Sequence, residues 1–155
     1  MNYKEDYSVR KNEIAVEKAK EYYYRHKMFV RSFGFSTDEC IDIHTFMKFP
    51  RKIRKMPDFI YVDQGKFHFS EVKGCHDILR LKEEDMKDYY WWYKQFKDMQ
   101  ENIEFVFFVY STKVDSFIEI PMQELIDKMK ESNWEVDRYP DNNKKYVKVP
   151  IEDIF

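Results

Sequence analysis

Apolar residues recur along the chain at two spacings, and the switches between them mark the elements. Val9, Asn12, Val16, Ala19 and Tyr23 fall at alternating three- and four-residue intervals. They form one stripe and predict a helix over about Val9 to His26, with Ser8 as its N-cap. Met28 to Phe35 reads as a strand ending near Gly34, and Ser36 to Met56, which keeps neither period, reads as irregular. Asp58 to Val62 and Phe67 to Lys73 read as two strands around a turn at Gln64-Gly65. Met86, Tyr89, Tyr90, Tyr93 and Phe96 predict a second helix over Lys82 to Lys97. Ile103 to Tyr110 is apolar on both alternating faces except for Glu104, the pattern of a central strand covered on each side. Pro121 to Ser132 predicts a third helix with Pro121 at its first position and Met122, Leu125, Ile126 and Met129 on the buried face. Tyr146 to Val149 adds a late edge strand before Pro150. The order helix, three strands, helix, strand, then a C-terminal helix and strand predicts an α/β fold with a mixed β-sheet flanked by helices.

Composition narrows the class. No repeat and no Gly/Ser/Pro linker divides the 155 residues, so residues 1–155 are expected to form one domain. Aromatics at 19% with only 3 glycines describe a densely packed chain and exclude a disordered one. The net charge of -2 gives the whole molecule no attraction for polyanions, so any nucleic-acid affinity must come from a local patch. Met1 to Lys11 carries Lys4, Glu5, Asp6, Arg10 and Lys11 and has no apolar h-region of a signal peptide. With no apolar run of membrane-spanning length, a cytoplasmic protein without a membrane partner is expected. Cys40 and Cys75 are too few for a disulfide scaffold. Together with His44 and His76 they match no common zinc spacing.

Candidate chemistry concentrates between Pro57 and Gly74. Side chains alternate along a strand, so Glu71 and Lys73 share one face while Val72 points to the other. If Gln64-Gly65 is a two-residue turn, Asp63 faces Lys66 and Asp58 falls opposite Glu71, with Cβ atoms about 5 Å apart. A three-residue turn would instead pair Asp58 with Ser70. Two carboxylates that close are destabilising unless a cation lies between them, and oxygen ligands suit Mg²⁺ or Mn²⁺. Such an ion lowers the pKa of a bound water and offsets charge developing on a phosphate, while Lys73 is placed to orient or deprotonate the nucleophile. This is the logic of phosphodiester hydrolysis.

Pro57-Asp58, followed after a short hairpin by Glu71-Val72-Lys73, resembles the PD-(D/E)XK nuclease superfamily. The resemblance extends to the expected order of elements from Val9 to Tyr110, and is nearest to small archaeal-type and viral Holliday junction resolvase-like endonucleases. It implies a restriction-endonuclease-like core (αβββαβ), with Asp58 and Glu71 binding Mg²⁺ or Mn²⁺, the Val72 carbonyl adding a ligand and Lys73 assisting catalysis. It also implies an acid on the first helix. Glu13, which borders the apolar stripe, is favoured over Glu17, which lies farther toward solvent, although Asn12 occupies the stripe itself. The function expected is a metal-dependent endonuclease acting on DNA, general or structure-selective, and a homodimer if the substrate is a four-way junction. RNA cleavage and a non-catalytic nucleic-acid- or protein-binding domain on the same fold are the alternatives.

Lys48, Arg51, Lys52, Arg54 and Lys55 precede the first acid and are candidates to bind phosphates, although charge runs are usually solvated loops. Tyr89, Tyr90, Trp91, Trp92 and Tyr93 have the chemistry to stack on bases, but at helical spacing most are expected in the core. His44 reads as incidental.

Overall fold

A computed structural model describes residues 3–34, 42–99 and 101–155, with side chains from residue 10 onward. A five-stranded mixed sheet carries the core, in the order β1-β2-β3-β5-β6, with a smaller three-stranded sheet beside it in the order β4-β8-β7. The strands of the large sheet are β1 (Met28–Ser32), β2 (Phe59–Asp63), β3 (Lys66–Cys75), β5 (Ile103–Ser111) and β6 (Ser116–Pro121). The small sheet comprises β4 (Ile78–Lys82), β7 (Val136–Arg138) and β8 (Lys145–Pro150). The helices are α1 (Tyr3–His26), α2 (Ile43–Lys48), α3 (Arg51–Arg54), α4 (Glu83–Phe96) and α5 (Met122–Glu131). The expected α/β class and the αβββαβ order with a following helix and strand are present.

From Phe105 onward β5 is buried on both faces, as its apolar run predicts. Phe105, Phe107 and Val109 belong to a core shared with α4, α5 and the small sheet, through Tyr89, Leu125, Leu79 and Val149. Val106, Phe108 and Tyr110 belong to a second core beneath α1, with Ala15, Ala19 and Tyr23. β3 pairs in parallel with β5, with α4 in the crossover between them, and antiparallel with β2.

Several boundaries differ from expectation. α1 is helical from Tyr3, so Ser8 lies inside it and is not its N-cap. No Gly or Pro interrupts residues 3–9, and Glu5 and Asp6 suit the positive end of the helix dipole. β1 ends at Ser32, and Phe35 lies outside the described residues. The expected irregular stretch contains α2 and α3, where Asp42 caps α2 by accepting the Thr45 N–H at 3.0 Å. Within that stretch, residues 36–41, Cys40 included, lie outside the described residues. β8 is the centre of its sheet and not an edge, because β4 and β7 pair on either side of it. Pro121 ends β6 and caps α5 instead of opening it.

Gly74 determines how closely α1 lies on β3. A Cβ built there would stand 2.2 Å from the Lys11 carbonyl oxygen and 3.0 Å from the Asn12 nitrogen, both rigid helix backbone. The Gly74 N–H donates to Asn12 Oδ1 at 3.0 Å across the same contact. Gly74→Ala is therefore expected to lift the start of α1 and cost about 1–3 kcal/mol, the scale of an overpacked core site. Urea unfolding measures this, and an unchanged midpoint would mean that α1 shifts without loss.

Candidate active site

The turn that sets the site is the two-residue one. Gln64 and Gly65 both have positive φ, 50° and 77°, as a tight hairpin with right-twisted strands requires. Asp63 faces Lys66 and the ladder runs to Phe59↔Ser70. Continued by one residue, that register puts Asp58 against Glu71. Asp58 lies just past the last rung, however, and its side chain replaces the missing ladder partner: Asp58 Oδ2 accepts the Val72 N–H at 2.7 Å. The Asp58 carbonyl in turn accepts the Phe33 N–H at 2.9 Å, which ties the residue to the chain beyond β1. Val72 is thus the β3 residue whose backbone meets the Asp58 side chain.

Glu71 and Lys73 project on the α4 face of β3, where Tyr89 meets them. The Tyr89 hydroxyl donates to Glu71 Oε1 at 2.7 Å and accepts from Lys73 Nζ at 2.8 Å. Lys73 Nζ also lies 3.0 Å from Glu71 Oε1. Glu71 is buried, with 7% of its surface exposed, and its Oε1 takes both of these donors. Burial, together with the neighbouring Glu71 carboxylate, pushes the Asp58 carboxyl up to about 8, against the opposing effects of the Val72 N–H and Lys73. Burial works against the Lys73 ammonium, but Tyr89, Glu71 and Asp58 outweigh it and hold its pKa well above the usual lysine value. Burial likewise keeps the Tyr89 hydroxyl protonated.

Without a cation Asp58 therefore keeps its proton at neutral pH, and the ion pair of the site is Lys73 with Glu71. Among the described residues, no group of three or more His, Cys, Asp and Glu side chains is arranged around a metal position. A set of two carboxylates and a backbone carbonyl suits Mg²⁺, which keeps several waters and needs only one or two carboxylates, and does not suit a closed zinc site.

The other sequence candidates are distributed differently. Asn12 is the α1 residue hydrogen-bonded beside this end of β3, whereas Glu13 is exposed, and Glu17 is exposed and lies 3.9 Å from Lys20. The basic run is largely engaged by acids of α4: Arg51 and Lys52 reach Asp88 at 2.7 and 3.1 Å, and Lys55 reaches Asp85 at 2.8 Å. Arg54 donates to the Phe49 carbonyl at 3.1 Å, and Lys48 is exposed at the end of α2. His44 is exposed on α2. Because Asp88 is only 5% exposed, replacing both Arg51 and Lys52 by alanine is expected to leave a buried carboxylate unpaired. Discounted for the partial exposure of both cations, the loss should be about 1–3 kcal/mol. A melting temperature unchanged in buffer without nucleic acid would mean that these pairs do not hold α3.

Tyr89 is the residue that sequence reasoning missed. Its position on the buried stripe of the second helix was legible, but its hydroxyl had no assigned partner. A buried tyrosine needs one, and Glu71 and Lys73 were the polar groups available on the facing strand.

No known protein-family model matches the chain, and no curated protein matches it in sequence. No helix among the described residues is long and apolar enough to cross a membrane. The fold is similar to that of D212, a nuclease from a fusselovirus, with a TM-score of 0.50 over 94% of this chain and 84% of that one. At 8% sequence identity, the shared property is the fold.

Proposed function

We propose that this protein is a metal-dependent endonuclease that hydrolyses phosphodiester bonds in DNA, with Asp58, Glu71 and Lys73 as its active site. The observation that carries the reading is the pair of carboxylates on adjacent strands beside the partly buried Lys73 ammonium: burial and Glu71 push the Asp58 carboxyl up to about 8, a cost that a cation between the two acids would remove. Asp58, Glu71 and the Val72 carbonyl are the groups that would hold Mg²⁺ or Mn²⁺. When bound, the ion supplies an acidified water and a counter-charge for the phosphate.

The chain's own groups supply the rest. Lys73 offers an N–H to a phosphate oxygen or to the attacking water, and Tyr89 and Glu71 keep it from swinging into solvent. Glu13 is the α1 acid of this reading; it is exposed on the helix that covers the sheet face opposite Glu71 and Lys73, so it would reach the chemistry only around the strand edge. Lys48 and Arg54 are assigned to phosphates of the flanking strand. Arg51, Lys52 and Lys55 join them to the extent that they are released from Asp85 and Asp88. On a four-way junction, two symmetric cuts need two copies, and the active form there would be a homodimer.

The test is incubation with labelled duplex, single-stranded and four-way-junction DNA, and with RNA, in Mg²⁺, Mn²⁺ or EDTA. Cleavage of DNA that EDTA stops, leaving 5′-phosphate ends, is expected. Binding without cleavage in either metal would favour the non-catalytic domain. Preferential cutting of RNA would overturn the substrate assignment.

A further inference from the structure

The hydroxyl of Tyr89 has one proton and two lone pairs, and the structure accounts for its direction. Its proton goes to Glu71 Oε1, the partner that can only accept, and a lone pair takes a proton from Lys73 Nζ, the partner that can only donate. Lys73 Nζ and the Tyr89 hydroxyl thus converge on the same carboxylate oxygen, Oε1 of Glu71. That leaves Oε2 as the Glu71 oxygen without these donors. The ring itself is fixed independently: it packs on Phe105 and Phe107, with centroids 6.3 and 5.6 Å away, and Lys73 Nζ lies 5.0 Å from its centroid.

From this geometry we infer that Tyr89 is a positioning residue of the proposed nuclease site: its hydroxyl occupies Glu71 Oε1, which would leave Oε2 for a cation, and it steadies the Lys73 ammonium. The inference rests on the metal-dependent reading of Asp58 and Glu71. Tyr89 acts through Glu71 and Lys73, the two groups its hydroxyl bonds. Tyr89→Phe isolates the hydroxyl, because phenylalanine keeps the ring against Phe105 and Phe107 while both hydrogen bonds disappear. Glu71 and Lys73 would remain paired at 3.0 Å, but without the third group that fixes their angles.

The experiment compares wild type and Tyr89→Phe in three measurements: apo melting temperature, Mn²⁺ affinity by calorimetry, and cleavage kinetics. The expected result is about a tenfold or greater loss in kcat with KM for DNA changed less than about twofold, the pattern of a group acting on the chemical step and not on binding. Mn²⁺ affinity should weaken by roughly tenfold, the scale of losing an outer hydrogen-bond partner of a metal ligand. Equal kcat and equal Mn²⁺ affinity would overturn the inference. So would a Tyr89→Phe whose apo melting temperature falls as far as that of Tyr89→Ala, since the hydroxyl would then serve packing and folding alone. If wild type binds Mn²⁺ but cleaves nothing, the nuclease reading fails while the affinity difference still decides the role of Tyr89. If wild type binds no Mn²⁺, both fail.

Discussion

Glu71→Gln is expected to lower the cleavage rate by about 10³-fold or more, with little change in DNA binding, because it removes charge from the site while leaving its shape. A glutamine Oε1 can still accept the Tyr89 hydroxyl proton, which in the native protein spans 2.7 Å to Glu71. What disappears is the negative charge that would attract the cation and that pairs with Lys73 at 3.0 Å. Glu71 is also the neighbouring charge that adds to the effect of burial in raising the Asp58 carboxyl. The substitution should therefore bring Asp58 back toward the ordinary carboxylate range without disturbing the strand. Single-turnover cleavage in Mg²⁺ and Mn²⁺, with DNA binding measured in EDTA, separates chemistry from affinity. A variant that cut at the wild-type rate would remove Glu71 from the mechanism.

The second large effect is on stability and needs no substrate. With its pKa raised from 3.8 to about 8, Asp58 binds its proton more tightly in the folded state than in the unfolded one. The folded state then holds more protons between these two values, so the stability contributed by Asp58 is complete below about pH 4 and is lost as the pH rises through about 8. An asparagine in its place cannot ionise, and the amide oxygen can still accept the Val72 N–H. Metal-free Asp58→Asn should consequently gain on wild type as the pH rises from about 4 to 8, by on the order of a few kcal/mol across the whole window. Saturating Mn²⁺ should reverse the order at high pH, because an ion bound only by the folded protein stabilises the form that has kept both carboxylates. Denaturant titrations of both proteins at several pH values, with EDTA and with Mn²⁺, supply the four curves. A difference between the two proteins that does not vary with pH would mean that Asp58 ionises as an ordinary surface acid.

Much of this was legible in one dimension, where local rules suffice. The run Ile103 to Tyr110 could be recognised as a doubly covered central strand, because period-two alternation with apolar residues at both phases has few other solutions. The turn at Gln64-Gly65 was legible from the glycine, but two registers stayed open, and the ladder from Asp63↔Lys66 to Phe59↔Ser70 selected the two-residue loop that sets Asp58 toward Glu71. Short elements were harder. β4 offers only Leu79 and Leu81 as a buried phase, and β6 runs directly into α5 through Pro121, so neither accumulates enough periods to stand apart from loop.

The sequence by itself determined the fold class, the order of the main elements and the strand address of Asp58, Glu71 and Lys73, because backbone periodicity and turn chemistry act over a few neighbouring residues. Only the tertiary structure decided what those side chains meet. The Val72 N–H was given to Asp58, the Tyr89 hydroxyl to Glu71, and Arg51, Lys52 and Lys55 to the acids of α4, leaving Glu13 exposed while Asn12 took the contact at Gly74. Partners 14 to 62 residues apart are chosen by how helices seat on the sheet. Helix rotation is set by summed burial over many side chains, and a turn of one residue position, about 100°, exchanges the acid that faces the strand for the one that faces water.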